Sequence, residues 1–197
     1  MLRLLLILLI GCSLEKVAAQ VDSFPFDQNK LHGFFKNHAP LNVKKQATET
    51  HKSTYRLLAF LSPECPLSQN YSVVLQQLSN EFSDLITVSG IIPGSTVSKK
   101  EIRGFAKKYK IQFPLYSDKN MITVKTVHAT ITPEVVLMDK DGVLIYRGAI
   151  DDWAVDLGKK KSKPSNEYLR NALLQVKMGQ PVQFVMKEPI GCLINDF

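Results

Sequence analysis

Cys65 stands in Ser62-Pro63-Glu64-Cys65-Pro66, between an apolar run and a stretch whose apolar residues recur at helical spacing. A cysteine at that junction meets the unpaired N–H groups and the positive dipole end of the following helix. Both favour the thiolate and can bring a thiol pKa from ~8.5 into the range ~3.5–7.5. The thiolate is the nucleophile, so the position suits redox chemistry. Pro66 fits the first helical turn, where a missing N–H costs nothing. A buried structural cysteine is the competing reading; the turn and the prolines Pro63 and Pro66 argue against it. The other cysteines are Cys12 and Cys192. Three are too few for a disulfide scaffold.

The elements that must position Cys65 follow from the pattern around it. Residues 55–61 form a short apolar run, consistent with a buried strand. Val74, Leu75, Leu78 and Phe82 then mark a helix. Residues 85–92 read as a second strand, ending at Pro93-Gly94. Ser98 precedes a helix to about residue 109, with Ile102, Phe105 and Ala106 on one face. Residues 112–116 are extended, and 121–127 form a weaker helix. Residues 134–138 and 143–146 flank Asp139-Lys140-Asp141-Gly142, a hairpin turn. Ser165 opens a last helix, with Leu169, Ala172, Leu173 and Val176 on one face and Gly179 closing it. Residues 31–54, broken by Pro40, read as irregular structure or a short hairpin. The order β-α-β-α-(β)-α-β-β-α predicts an α/β fold with a central mixed β-sheet flanked by helices.

Phe60-Leu61-Ser62-Pro63-Glu64-Cys65-Pro66-Leu67-Ser68 resembles the active-site loop of thioredoxin-like proteins, in particular the redoxin branch (AhpC/TSA, peroxiredoxin-related) of exported bacterial proteins. Thr130-Ile131-Thr132-Pro133-Glu134-Val135-Val136-Leu137-Met138-Asp139 resembles the family's second landmark. That landmark is a cis proline facing the active cysteine, followed by a strand and a D-x-D-G hairpin. Tyr146-Arg147-Gly148-Ala149-Ile150-Asp151-Asp152, the helix from Tyr168 and the Gly191-Cys192 ending match the same branch. The resemblance covers residues 55–194.

It implies a thioredoxin-like fold and a thiol–disulfide oxidoreductase, with Cys65 as nucleophile and Ser68, one helical turn on, donating a hydrogen bond to the thiolate. Pro66, Thr132 and Pro133 would shape the groove for a protein or small-molecule thiol or disulfide. An external thiol reductant is the implied partner, and no cofactor is implied. X–Pro bonds accept the cis form at a cost of ~0.5–1 kcal/mol. A proline that begins a strand also leaves the preceding backbone unpaired inside the sheet; in the family that edge holds an extended substrate. A trans Pro133 that merely starts the strand is the alternative.

The sequence departs from the family at one telling place. Dithiol members carry C-x-x-C, but Ser68 holds the second position here and a serine cannot release a mixed disulfide. Cys65 then needs another partner or works alone. The cysteine count leaves Cys192 as a resolving thiol, on a terminal segment able to reach back over the fold. Such a bond needs Cα atoms within about 7 Å. A free tail thiol and a bond between chains are the alternatives.

Three other activities compete. A thiol peroxidase would match Ser62, three positions before Cys65, but Leu58 replaces the proline expected seven positions before. Nothing in the sequence places Arg147 or Arg103 at the sulfur. A copper chaperone of the cytochrome-oxidase assembly type would need a cysteine where Leu61 stands. One thiolate with His128 is a poor copper site, and His32, His38 and His51 lack ligand spacing. Asp139-x-Asp141-Gly142 lacks the further ligands of a calcium loop. No metal site is expected. The third competitor is a binding module without turnover.

Residues 1–11 read as a lipoprotein-type signal peptide: Arg3, an apolar run over 4–10 far shorter than the ~20 residues of a spanning helix, then Gly11. Leu9-Ile10-Gly11-Cys12 resembles a lipobox, which makes Cys12 the lipidation site. The chain would then be exported and held at the cell membrane or in the periplasm. Cleavage after Val17-Ala18-Ala19 is the rival, and Glu15 and Lys16 sit awkwardly in it. Residues 12–30 follow as a tether and 31–197 as the thioredoxin-like domain, of ordinary single-domain size. The net charge of 25 − 18 = +7 comes from lysines grouped at 99–100, 107–110 and 159–163. These read as solvated faces. Export and the lack of interleaved aromatics argue against nucleic acid.

Overall fold

Alternation along the first strand sorts the core into two layers. In β1 (Tyr55–Phe60), Leu57 and Ala59 belong to one buried cluster, while Leu58 and Phe60 belong to the other. A strand buried on both faces requires helices on both. The computed structural model, which describes residues 26–43, 53–183 and 186–195, supplies them. One face carries α2 (Pro66–Glu81), α3 (Lys99–Lys108) and α5 (Tyr168–Lys177). The other carries α1 (Gln28–Asn37) and α4 (Ile122–Val127).

The sheet itself is mixed. β1 pairs in parallel with β2 (Ile86–Pro93), and β2 with β3 (Leu115–Asp118). On its other side β1 pairs antiparallel with β5 (Glu134–Asp139), and β5 with β6 (Leu144–Gly148). The expected fold class is therefore observed, with the expected elements in sequence and further short ones among them. A two-residue strand, β9 (Met186–Lys187), extends the sheet beyond β6. Two small pairs lie outside it: β7 (Ala154–Asp156) with β8 (Lys159–Lys160), and β4 (Ile131–Thr132) with β10 (Cys192–Leu193).

Capping fixes the helix starts. Ser98 and Glu101 form a capping box at α3, with Glu101 N–H donating to Ser98 Oγ at 3.2 Å and Ser98 N–H donating to Glu101 Oε2 at 2.7 Å. At α4 the buried Asp118 carboxylate accepts from the backbone of Ile122, Thr123 and Val124 at 2.8–3.1 Å. α5 begins three residues after Ser165 because the Asp152 carboxylate already holds the Ser165 and Asn166 N–H groups, at 2.7 and 3.0 Å.

α1 corrects the reading of residues 31–54 as irregular, and it starts inside the stretch read as a tether. Asp27 caps it by accepting from Lys30 N–H at 3.1 Å, and Leu31 and Phe34 are buried against the sheet. Two buried positions in ten residues are too few to show periodicity; tertiary burial decides the helix. The expected signal peptide, Cys12 and the first part of the tether lie outside the described residues.

One buried ion pair fixes the loop before β5. Glu134, 1% exposed, accepts from Arg147 Nε at 2.7 Å and, through its other oxygen, from Thr130 N–H at 2.9 Å. Arg147 Nη1 donates to the Val127 carbonyl at 3.0 Å and Nη2 to that of His128. The pair thus braces residues 127–131, which lead into β4.

Two substitutions test this account in urea unfolding. Phe34→Ala should cost about 3–5 kcal/mol, while the exposed Lys36→Ala stays within about 0.5 kcal/mol. Glu134→Ala leaves Arg147 without its counter-charge and should cost about 3–5 kcal/mol. Equal stability of Phe34→Ala or of Glu134→Ala and the parent chain would contradict the assignment.

Candidate active site

The loop after β1 is tied at almost every residue. Cys65 N–H donates to the Ser62 carbonyl at 3.1 Å, closing a turn. Ser62 N–H donates to Ser68 Oγ at 3.1 Å, and Glu64 N–H to Ser62 Oγ at 3.3 Å. Gln69 Nε2 donates to the Pro63 carbonyl at 2.7 Å, and Tyr109 Oη–H in turn donates to Gln69 Oε1 at 2.6 Å. Cys65 is the N-cap of α2, and Pro66 takes the first helical turn as expected. Cys65 makes no side-chain capping bond, so its sulfur is left for other work at the positive end of a 16-residue helix.

That sulfur is covered. Cys65 is 2% exposed, and its Sγ lies 3.2 Å from the carbonyl oxygen of Thr132. The Thr132–Pro133 peptide is cis. Cys65 and Cys192 form a disulfide between Cα atoms 6.1 Å apart and 127 positions apart in sequence. β10 delivers Cys192 by pairing antiparallel with β4: Cys192 opposite Thr132, Leu193 opposite Ile131. Ile194 N–H donates to the Thr130 carbonyl at 2.8 Å, and Thr132 Oγ1–H to the Cys192 carbonyl at 3.4 Å. Gly191 permits the approach, because a Cβ there would collide with the Thr132 carbonyl.

The structure thus brings together Cys65, Cys192, Pro66, Thr132 and Pro133. It places Ser68 differently from the expected hydrogen bond to sulfur. Ser68 is fully buried, and its Oγ accepts from Ser62 N–H; the hydroxyl holds the loop rather than the thiol. Arg147 braces Glu134, and Arg103 Nε donates to the Leu41 carbonyl at 3.2 Å, so both guanidinium groups have work elsewhere. His128 ends α4 in a left-handed conformation. Among the described residues, no three His, Cys, Asp or Glu side chains cluster as metal ligands. No described helix is long and apolar enough to cross a membrane.

Several contributors escaped the sequence reading. Gln69 and Glu134 act through positions in space that no spacing encodes; Gly191 stood in the Gly191-Cys192 ending, but the close approach it permits did not show there. Asp151 is another. It borders a cavity of about 230 Å³ with Pro133, Tyr71, Tyr168 and Ile190. Its carboxylate accepts from Tyr71 Oη–H at 2.5 Å and Trp153 N–H at 2.8 Å. Burial pushes the carboxyl pKa above its ordinary value, because the charged form is poorly solvated there.

The sequence matches no protein-family model and no curated protein. Solved structures do resemble it. An uncharacterized conserved protein from Geobacillus kaustophilus superposes with a TM-score of 0.65 at 23% identity, over 74% of this chain and 78% of its own. A hypothetical protein from Sinorhizobium meliloti 1021 gives 0.64 at 26% identity, over 72% and 79%. A secreted Mycobacterium tuberculosis disulfide oxidoreductase, homologous to E. coli DsbE, gives 0.45 at 18% identity, over 57% and 82%. Parallel strands joined by helices, a cysteine at the mouth of the first helix after β1, and an antiparallel hairpin entered through a cis proline make the fold of this chain thioredoxin-like.

Proposed function

We propose that the chain is a thiol–disulfide oxidoreductase of the redoxin branch whose redox couple is Cys65 and Cys192. The disulfide between them is the observation that carries the reading. It supplies the second sulfur that Ser68 cannot, from the far end of the chain. In the reduced protein, the Cys65 thiolate attacks one sulfur of a substrate disulfide, and the other substrate sulfur leaves as a thiolate. The Cys192 thiolate then attacks Cys65 Sγ in the mixed disulfide. The substrate's second sulfur leaves, and the Cys65–Cys192 bond forms. Two electrons have passed to the substrate, and an external thiol reductant restores the pair.

Two influences act on the Cys65 sulfur. The N-terminal end of α2 favours its thiolate. The Thr132 carbonyl oxygen, 3.2 Å away, favours the protonated thiol. Pro133 and Thr132 would form the substrate side of the groove. Export would explain where such a disulfide persists, and the proposed lipid on Cys12 would hold the domain at the membrane through the residues that precede α1.

Turnover with a glutathione–peptide mixed disulfide and dithiothreitol tests the reading. Cys65→Ala should fall to the uncatalysed rate. With the dithiothreitol left out, pre-reduced Cys192→Ser should still attack but stall with the substrate bound to Cys65, seen as the added mass of one substrate thiol. Undiminished turnover in Cys65→Ala would overturn the reading. Separately, intact mass of the mature protein from its bacterial host should show diacylglycerol on Cys12; a mature chain starting at Gln20 would contradict the anchor.

A further inference from the structure

The cavity beside the redox pair carries a charge pattern that the exchange mechanism does not use. It holds about 230 Å³ and lies between the second turn of α2, Pro133, the chain after β6 and residues 187–190. Its walls adjoin both sulfurs. Pro133 follows Thr132, whose carbonyl oxygen lies 3.2 Å from Cys65 Sγ. Ile190 stands two residues before Cys192, a span of at most about 7 Å.

Asp151 is the buried acid of this lining, 8% exposed. Tyr71 Oη–H and Trp153 backbone N–H both donate to its Oδ1, at 2.5 and 2.8 Å. Among the described residues Oδ2 has no donor, and it keeps contact with solvent through the cavity. A carboxylate buried this far with one oxygen unpaired is poorly stabilised, and burial does raise its pKa. A cation in the cavity would supply what the described residues do not.

The rest of the lining favours a cation over an anion. Three carboxylates, those of Asp151, Asp152 and Glu188, stand beside two ammonium groups, those of Lys161 and Lys187. Lys161 is spent on Asp152, at 2.7 Å. Lys187 lies against the Tyr168 ring, 5.3 Å from its centroid, so an ammonium group is already accommodated on this wall. The balance left is negative, within a chain of net charge +7. The cavity is thus a local departure from the charge of the molecule. Pro133, Ala149 and Ile190 add apolar surface for a short hydrocarbon stem.

We infer that the cavity is a subsite for an alkylammonium group, with Asp151 Oδ2 as its acceptor, and that the substrate is a small thiol or disulfide bearing a primary amine. The second half rests on the exchange chemistry proposed above; the amine site does not. The reaction keeps its balance. The Cys65 thiolate bonds to one sulfur of the amino disulfide, the sulfur–sulfur bond breaks, and the other sulfur leaves as an aminothiolate. The ammonium group takes no part in that exchange and fixes the approach of the sulfur.

Trp153 reads the amine site without an added label. It is the single tryptophan of the chain, its backbone N–H is bonded to Asp151, and its ring meets Tyr71 edge-on at 5.7 Å. Titrating the oxidised full chain with propylamine should give a saturable change in its fluorescence, and propanol should give none. In Asp151→Asn the affinity for propylamine should fall about tenfold or more. No response to propylamine, an equal response to propanol, or an unchanged affinity in Asp151→Asn would overturn the amine site. Rates with the reduced Cys192→Ser variant test the substrate class. Cystamine and hydroxyethyl disulfide differ in carrying ammonium or hydroxyl. Their rate ratio on Cys65 should exceed the ratio on free N-acetylcysteine by about tenfold, and should fall back toward the free-thiol value in Asp151→Asn. A ratio equal to that of the free thiol, with propylamine still bound, would sink the substrate class and leave the exchange chemistry standing. No reaction with either disulfide would sink the exchange chemistry and the substrate class with it, while the titration decides the amine site on its own.

Discussion

Thr132 is the point on which the site depends. Its carbonyl oxygen lies against the Cys65 sulfur, its backbone pairs with Cys192, and its peptide bond to Pro133 is cis. One residue therefore registers the helix that begins after Cys65 against the strand that brings Cys192. A two-residue strand has little rigidity of its own. The loop before it is held from behind by Glu134 and Arg147, whose ion pair bonds residues 127, 128 and 130. A buried pair of this kind gives modest net stability and much positional definition. Here the defined position is that of the Thr132 carbonyl.

Cys65 is fixed with similar redundancy from its own side. Ser62, Pro63 and Glu64 are each bonded within the loop or to the first turn of α2. Ser68 belongs to this scaffold. A serine at the second position of a C-x-x-C pattern looks like a lost catalytic group, yet it is fully buried and serves as an acceptor for the loop backbone. The cysteine bonded to Cys65 stands 127 positions further along the chain. The consequence is mechanical: a C-x-x-C disulfide closes within one helical turn, whereas this one pins a terminal strap across the site.

Sequence patterns exposed the sheet, the helix starts at Pro66 and Ser98, and the D-x-D-G hairpin, because periodicity and turn chemistry are local signals. They also marked Cys65, whose neighbours in the chain are its neighbours in space. α1 was hidden because two buried residues, Leu31 and Phe34, carry it. The strands β9 and β10 were hidden because two residues cannot show alternation. The pairing of Cys192 with Cys65 stood open among three choices until the antiparallel register with β4 was visible. Glu134 and Gln69 act across the fold, and nothing in their immediate sequence announces it.

The central claim is that Cys65 and Cys192 form one working couple. Its most direct test is a redox titration in defined ratios of reduced and oxidised dithiothreitol, with the free thiols alkylated and each cysteine read by peptide mass. The account expects both cysteines to become protected together, in a single two-electron transition of about 30 mV per tenfold change in the equilibrium constant, with the two peptides joined. Separate transitions for Cys65 and Cys192, or a Cys65 that pairs only with a second molecule, would contradict it.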